Sequence, residues 1–152
     1  MTEAEFLAAY DGDKYPKPAV TADICIFSEG EEEMELLLVR RGGHPFLGCF
    51  ALPGGFANKD EMLSETAARE LAEETGVTDV ELELVGVYSA PGRDPRGWTV
   101  SAAYGAVVDR EEITVQAGDD AAEARWFPIS ELPEELAFDH AEIIRDACEV
   151  LL

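Results

Sequence analysis

The chain has 152 residues, close to one average domain, and folding at this size buries roughly two-thirds of the surface an unfolded chain exposes. Thirty-three acidic residues against 11 basic ones give a formal net charge of −22 at pH 7. That charge disfavours nucleic acid polymers and anionic lipid faces as partners. The 47% of hydrophobic residues, interspersed with the acids, exclude a disordered polyelectrolyte and predict a folded acidic domain.

In chain order, EAEFLAAY at 3–10 predicts a short helix, and DGDKYPKP a turn-rich entry segment. The alternating run VTADICIF at 20–27 reads as a strand, SEGEEE as a solvated turn, and MELLLVRR at 34–41 as a second strand. A loop GGHPFLG leads to CFALPGG, where Pro53-Gly54-Gly55 is expected to stop any strand. Residues 60–75 carry a helical pattern, with Leu63, Ala67 and Leu71 four apart and Gly76 placed to end it. Strands are predicted at 81–90, at 98–108 and over ARWFPI, then a turn-like PISELPEELA and a terminal helix in DHAEIIRDACEVLL. Strands on both sides of one central helix, with another helix at the end, predict an α/β (α+β) sheet sandwiched by helices, in one domain over 1–152.

No apolar run reaches the roughly 18 to 20 residues that span a bilayer. The N-terminal segment has neither a basic n-region nor an apolar h-region, so no membrane partner and a cytoplasmic location are expected. Cys25, Cys49 and Cys148, odd in number and widely spaced in apolar surroundings, read as buried free thiols.

The chemistry concentrates in GGFANKDEMLSETAARELAEETGV at 54–77. On a helix, Glu70 and Glu74 are i,i+4 neighbours and Glu73 is three from Glu70, so three carboxylates share one arc. Such an arc repels itself, and a cation resolves the conflict. Oxygen donors without a nearby histidine or cysteine favour Mg²⁺, with Mn²⁺ as a substitute. Arg69 stands four before Glu73 and within reach of Glu61, which suits the orientation of carboxylates. Gly54 and Gly55, lacking side chains, let the backbone approach a metal or phosphate closely.

Gly55, Glu61, Arg69, Glu70, Leu71, Glu73, Glu74, Gly76 and Val77 fit G-x5-E-x7-R-E-U-x-E-E-x-G-U (U aliphatic) at every fixed position. Chance would give this match on the order of once in a million chains. The segment resembles the signature box of the Nudix hydrolases, here residues 55–77. The resemblance implies the Nudix fold, an α/β/α sandwich with a mixed central sheet, and Mg²⁺-dependent hydrolysis of a nucleoside diphosphate linked to another group. It implies Gly54 (by its carbonyl), Glu70, Glu73 and Glu74 as metal ligands, and Gly55, Glu61, Arg69 and Gly76 as structural members of the motif. The general base varies among relatives, in the box or in a later loop. Glu73, Glu74 and, in AGDDAAEARW, Asp119, Asp120 and Glu123 are the candidates, with Asp120 preferred in that loop.

Pro91, fifteen residues after Gly76 in SAPGRDPRGWTVSAAY, resembles the proline of the ADP-ribose pyrophosphatase branch, which implies ADP-ribose as substrate and AMP and ribose 5-phosphate as products. Arg93 and Arg96 in this loop, and Arg40 at the end of the second strand, read either as phosphate contacts, because guanidinium forks suit bidentate binding, or as partners of local acids that fix the loop. His44 and His140 read as capping or structural, and Tyr88, Trp98, Trp126 and Phe127 as core. The resemblance also implies a homodimer. Its alternatives are a house-cleaning nucleoside triphosphate pyrophosphohydrolase and a non-catalytic ADP-ribose-sensing domain. The complete set of box carboxylates, and the lack of residues after Leu152 for a winged helix, weigh against the second.

Overall fold

A computed structural model describes residues 1–118 and 121–152. The expected elements form, with β4 in addition, in the order α1 (Glu3–Ala9), β1 (Ala19–Glu29), β2 (Met34–Arg41), β3 (Phe50–Ala51), β4 (Gly54–Phe56), α2 (Leu63–Thr75), β5 (Glu83–Tyr88), β6 (Thr99–Val108), β7 (Ala121–Pro128) and α3 (His140–Leu151). Short 3₁₀ turns lie at Arg110–Glu112 and Ile129–Glu131.

Among the described residues, seven strands form one mixed sheet. β1 runs parallel to β6 from Ala19↔Thr99 to Ser28↔Val108, and β5 pairs antiparallel with the far edge of β6. On its other edge β1 has two partners: β2 near Phe27–Glu29 and β4 near Thr21–Asp23. β1 and β2 therefore splay apart, and residues 50–56 cross the gap, first as β3 on Val39–Arg40 and then as β4 on β1. The expected stop at Pro53 is correct for one residue only, because pairing resumes at Gly54. Pro53 has no N–H to give, yet its carbonyl accepts from Ile24 N–H at 2.8 Å, so the crossing costs β1 no unpaired donor.

The period of two along β1 sorts the core. Ala22, Ile24 and Ile26 pack with Leu37 beneath Ala67 and Leu71 of α2, whereas Cys25 and Phe27 pack with Leu36 and Leu38 against Ile143, Ile144 and Ala147 of α3. Helices thus cover both faces of the sheet, giving three layers. The same alternation puts Asp23, on the odd positions, towards α3. Cys25 is buried, Cys49 and Cys148 are half-buried, and all three are free thiols. The aromatic expectation holds for Tyr88 and Phe127, which are buried, but not for Trp98, which is 56% exposed just ahead of β6. Trp126 is half-buried with the Arg110 guanidinium 4.2 Å from its ring. No described helix is long and apolar enough to cross a membrane.

Candidate active site

The crossing from β3 to β4 opens a cleft of about 500 Å³ between the splayed strands. One wall is β4 and α2. Gly54 lies opposite Asp23 and Gly55 opposite Ala22. A Cβ on Gly54 would collide with the Ala22 carbonyl and stand 2.6 Å from Asp23 Oδ1, and a Cβ on Gly55 would stand 2.5 Å from the Glu70 carboxyl carbon. Gly54 therefore requires glycine on grounds of space, whereas a side chain at Gly55 would displace the Glu70 carboxylate that now rests against bare backbone. Helix α2 begins three residues later than the sequence pattern suggests. Glu65 Oε1 accepts from Met62 N–H at 3.1 Å, and Gly76, at φ 76°, closes the other end in the left-handed region. Gln116 N–H and Gly118 N–H donate to the Thr75 and Glu74 carbonyls at 2.7 and 3.0 Å, which satisfies acceptors of the last turn and ties residues 116–118 to it.

Arg69 organises this wall. Its Nε donates to Glu61 Oε2 at 2.8 Å, and Nη2 donates to Glu61 Oε1 at 3.0 Å and to the Phe56 carbonyl at 2.9 Å. Its Nη1 reaches Glu70 Oε1 at 2.7 Å and Glu73 Oε2 at 3.2 Å. Glu61 further accepts from Asn58 N–H and from the Thr66 hydroxyl. Hydrogen bonds from Arg69 first, then from Asn58 and Thr66, hold the Glu61 carboxyl down at about 2. Glu74 shows the opposite effect. It accepts Gly54 N–H at 3.2 Å, but burial, joined by the nearby Glu70 and Asp23 charges, pushes its carboxyl up to about 8.

The opposite wall comes from distant segments. Asp23 of β1 accepts the Ser101 hydroxyl of β6 at 2.5 Å, and its other oxygen lies 3.4 Å from His140 Nε2 at the start of α3. His140 Nδ1 accepts Leu52 N–H at 3.0 Å, so the imidazole ties α3 to the turn that presents Gly54. Arg93 donates to both oxygens of Asp139, at 2.9 and 2.6 Å, with its side chain only 4% exposed. Burial alone would raise the Asp23 carboxyl, but His140, Ser101 and Arg93 outweigh it and hold it below the ordinary range.

These distances place the residues expected from the sequence. Gly54, Gly55, Arg69, Glu70 and Glu74 line the cleft together with Arg40, Arg93 and Arg96. Glu73 is exposed and turned to Arg69. Arg93, whose two readings are phosphate contact and partner of an acid, is a buried partner of Asp139 at the edge of the cleft. Arg96 spends Nε and Nη2 on Asp94, at 3.1 and 2.9 Å, and Arg40 Nε donates to the Gly48 carbonyl at 3.3 Å. Glu123, expected in a loop, lies on β7 opposite Arg40. Asp119 and Asp120 fall outside the described residues. His44 lines the cleft, while His140 is buried and structural as expected. Sequence reasoning missed Asp23, Ser101, Asp139 and Phe138; a lone aspartate inside the apolar run VTADICIF was the one available signal.

Among the described residues no three histidine, cysteine or acidic side chains gather closely enough to hold a metal as they stand. The donor set nevertheless fits a hard divalent cation. All its atoms are oxygens, Glu70 is packed on side-chain-free backbone, and the raised Glu74 marks a point short of positive charge.

A profile described as NUDIX domain matches residues 17–147. An ADP-ribose pyrophosphatase of Methanocaldococcus jannaschii is 46% identical over 132 residues, which covers 87% of this chain and 74% of that protein. An ADPR responsive transcriptional repressor NtrR of Acinetobacter baylyi is 35% identical over 96% of this chain, which spans only 59% of the repressor. Among solved structures, the NUDIX domain of Shewanella oneidensis NrtR complexed with ADP ribose has a TM-score of 0.89 at 37% identity, with 100% of both chains covered. A bifunctional NMN adenylyltransferase/ADP ribose pyrophosphatase of Francisella tularensis complexed with AMP and Mn ion has a TM-score of 0.74 at 26% identity, covering 97% of this chain and 45% of that one.

Proposed function

The chain belongs to the Nudix family, and we propose that it hydrolyses the diphosphate of a nucleoside diphosphate derivative, with ADP-ribose giving AMP and ribose 5-phosphate. The observation that carries this reading is the set of box carboxylates on one helix, with Glu70 and Glu74 lining a cleft shared with Arg40 and Arg96 and Glu73 held beside Glu70 by Arg69. The Gly54 carbonyl, Glu70, Glu73 and Glu74 would hold Mg²⁺ or Mn²⁺. When bound, such a cation supplies positive charge against the diphosphate oxygens and lowers the pKa of water.

The chain's own groups do the remainder. Arg69, fixed by both oxygens of Glu61, holds Glu70 and Glu73 in orientation. Glu74 is kept in place by Gly54 N–H, and with Glu73 and Asp120 it is a candidate to take the proton of the attacking water. Arg40 lines the cleft as a phosphate contact. We assign the protein to the cytoplasm as a single domain and a homodimer, without a nucleic acid or membrane partner.

Incubation with Mg²⁺ and a panel of ADP-ribose, NADH, sugar nucleotides, diadenosine polyphosphates and nucleoside triphosphates tests the substrate. ADP-ribose is expected to turn over fastest; a triphosphate cleaved far faster would leave the reaction class and remove the substrate. The likeness to NrtR favours a second reading, an ADP-ribose-sensing domain. A calorimetric binding signal without product under Mg²⁺ or Mn²⁺ would select it.

A further inference from the structure

The crossing from β3 to β4 turns its backbone groups alternately to its two sides. Cys49 C=O accepts Arg41 N–H at 2.9 Å and Ala51 pairs with Val39, so Phe50 and Leu52 direct their N–H and C=O groups away from β2. On that side Phe50 C=O accepts Ala137 N–H at 3.0 Å, and Phe50 is bridged in parallel to Leu136. One step further this short ladder loses its second strand, because Phe138, at φ 51°, turns the chain and α3 starts at His140. Leu52 N–H faces that turn, and His140 Nδ1 takes it at 3.0 Å. The imidazole stands in for a strand carbonyl where the strand has ended.

The next two residues are pinned from other sides. Pro53 C=O accepts Ile24 N–H of β1 at 2.8 Å, and Gly54 N–H donates to Glu74 Oε2 of α2 at 3.2 Å. Leu52, Pro53 and Gly54 are thus held by α3, β1 and α2 in turn. His140 is itself fixed. It is 3% exposed, and an imidazole nitrogen that accepts carries no proton, so the ring proton lies on Nε2, 3.4 Å from Asp23 Oδ1. The Ser101 hydroxyl holds Asp23 from behind at 2.5 Å, and both forks of Arg93 hold Asp139, the residue before His140. Leu52 is buried, so without this acceptor its N–H would be unpaired and the turn would move to satisfy it.

We propose that His140, beyond holding the fold, is a positioning residue for the cation site: by taking Leu52 N–H it sets where the crossing turn presents Gly54 to Glu74. The inference rests on the diphosphate-hydrolase reading, in which Gly54 and Glu74 hold a cation, and adds to it a residue from outside the motif. Mg²⁺ demands near-ideal placement of its oxygen donors, so a group that fixes a donor from behind controls affinity without touching the ion. A role in the fold alone would lower stability and leave the cation affinity of the folded protein unchanged.

Mn²⁺ binding to the full chain without substrate, read from the electron paramagnetic resonance signal of the free ion, tests this role apart from turnover. His140→Leu keeps buried bulk and removes the acceptor, and Mn²⁺ is expected to bind on the order of tenfold more weakly. His140→Asn puts an amide oxygen near the place of Nδ1 and is expected to bind within about twofold of the wild type. In the wild type, where no variant has to fold, added Mg²⁺ is expected to shift the NMR signals of Leu52 N–H and His140 Nδ1 together. Unchanged Mn²⁺ affinity in the leucine variant, equal loss in both variants, no Mn²⁺ binding to the wild type, or Leu52 and His140 signals that stay in place at saturating Mg²⁺ would overturn the role. The expected pattern in a protein that fails to hydrolyse ADP-ribose would instead sink the proposed reaction and leave the positioning role standing.

Discussion

The two walls of the cleft handle charge in opposite ways. On the β4–α2 side, Glu61, Glu70 and Glu73 all lean on one guanidinium, Arg69, while Glu74 relies on a backbone N–H. On the far side Asp23 and Asp139 are closed off by Ser101, His140 and both forks of Arg93. The first wall keeps an excess of negative charge beside solvent, which suits a site that awaits a cation. The second is a satisfied buried network, whose members hold position because leaving any one alone costs desolvation energy.

The largest expected effect breaks the first wall's function without touching its fold. Glu74→Gln should lose on the order of a hundredfold or more in turnover, the scale at which a lost charge-stabilising group in a preorganised site is felt. Its thermal transition should hardly move, because a carboxyl pushed up to about 8 is mimicked by the neutral amide. Steady-state kinetics with ADP-ribose and a melting curve check both halves; wild-type-like turnover would remove Glu74 from the metal assignment.

Arg93→Met should do the reverse. It strands Asp139 and Asp23 in a buried setting, where breaking a pair from one side costs about 3–5 kcal/mol. Urea denaturation measures it. A cost below about 1 kcal/mol, together with a raised KM, would return Arg93 to the substrate and erase the contrast between the walls.

The contrast also explains what was readable in advance. Glu61, Arg69, Glu70, Glu73 and Glu74 sit within one short stretch, so helical spacing alone brings them together. Asp23, Arg93, Ser101, Asp139 and His140 meet through the parallel register of β1 on β6 and the docking of α3, which local pattern does not encode. Arg93 in a glycine and proline loop looks the same in sequence whether it faces phosphate or a buried carboxylate. Gly54 and Gly55 carried both a motif and a misleading turn signal: the pair continues a strand beside β1, which approaches Gly54 too closely for a side chain, while the Glu70 carboxylate fills the space at Gly55. Phe138 left no sequence trace, since positive φ at a phenylalanine is imposed by its surroundings.

A smaller effect sharpens the first wall by pH. The Glu61 carboxyl lies at about 2, below its ordinary 4.5, so its ionised form is favoured in the folded chain. Stability from this source is fully present above 4.5 and is lost as pH falls towards about 2. Denaturation of wild type and Glu61→Gln over that range should show the wild-type advantage shrinking with acid. A constant gap would mean that Glu61 acts through packing rather than charge.

The smallest effect sets the baseline for both walls. Lys59 and Asp60 form an ion pair at 2.8 Å in the turn leading to α2, with side chains 90% and 82% exposed. Water screens this pair, and holding two exposed side chains together costs entropy that offsets the attraction. Lys59→Ala should therefore change stability by less than about 0.5 kcal/mol, and added salt should shrink even that. The pair directly precedes Glu61, so the same melting assay reads both. If Lys59→Ala cost as much as Arg93→Met, distance from solvent would not be what separates the working charges from the surface ones. The division of the cleft into an open wall and a closed wall would then lose its physical basis.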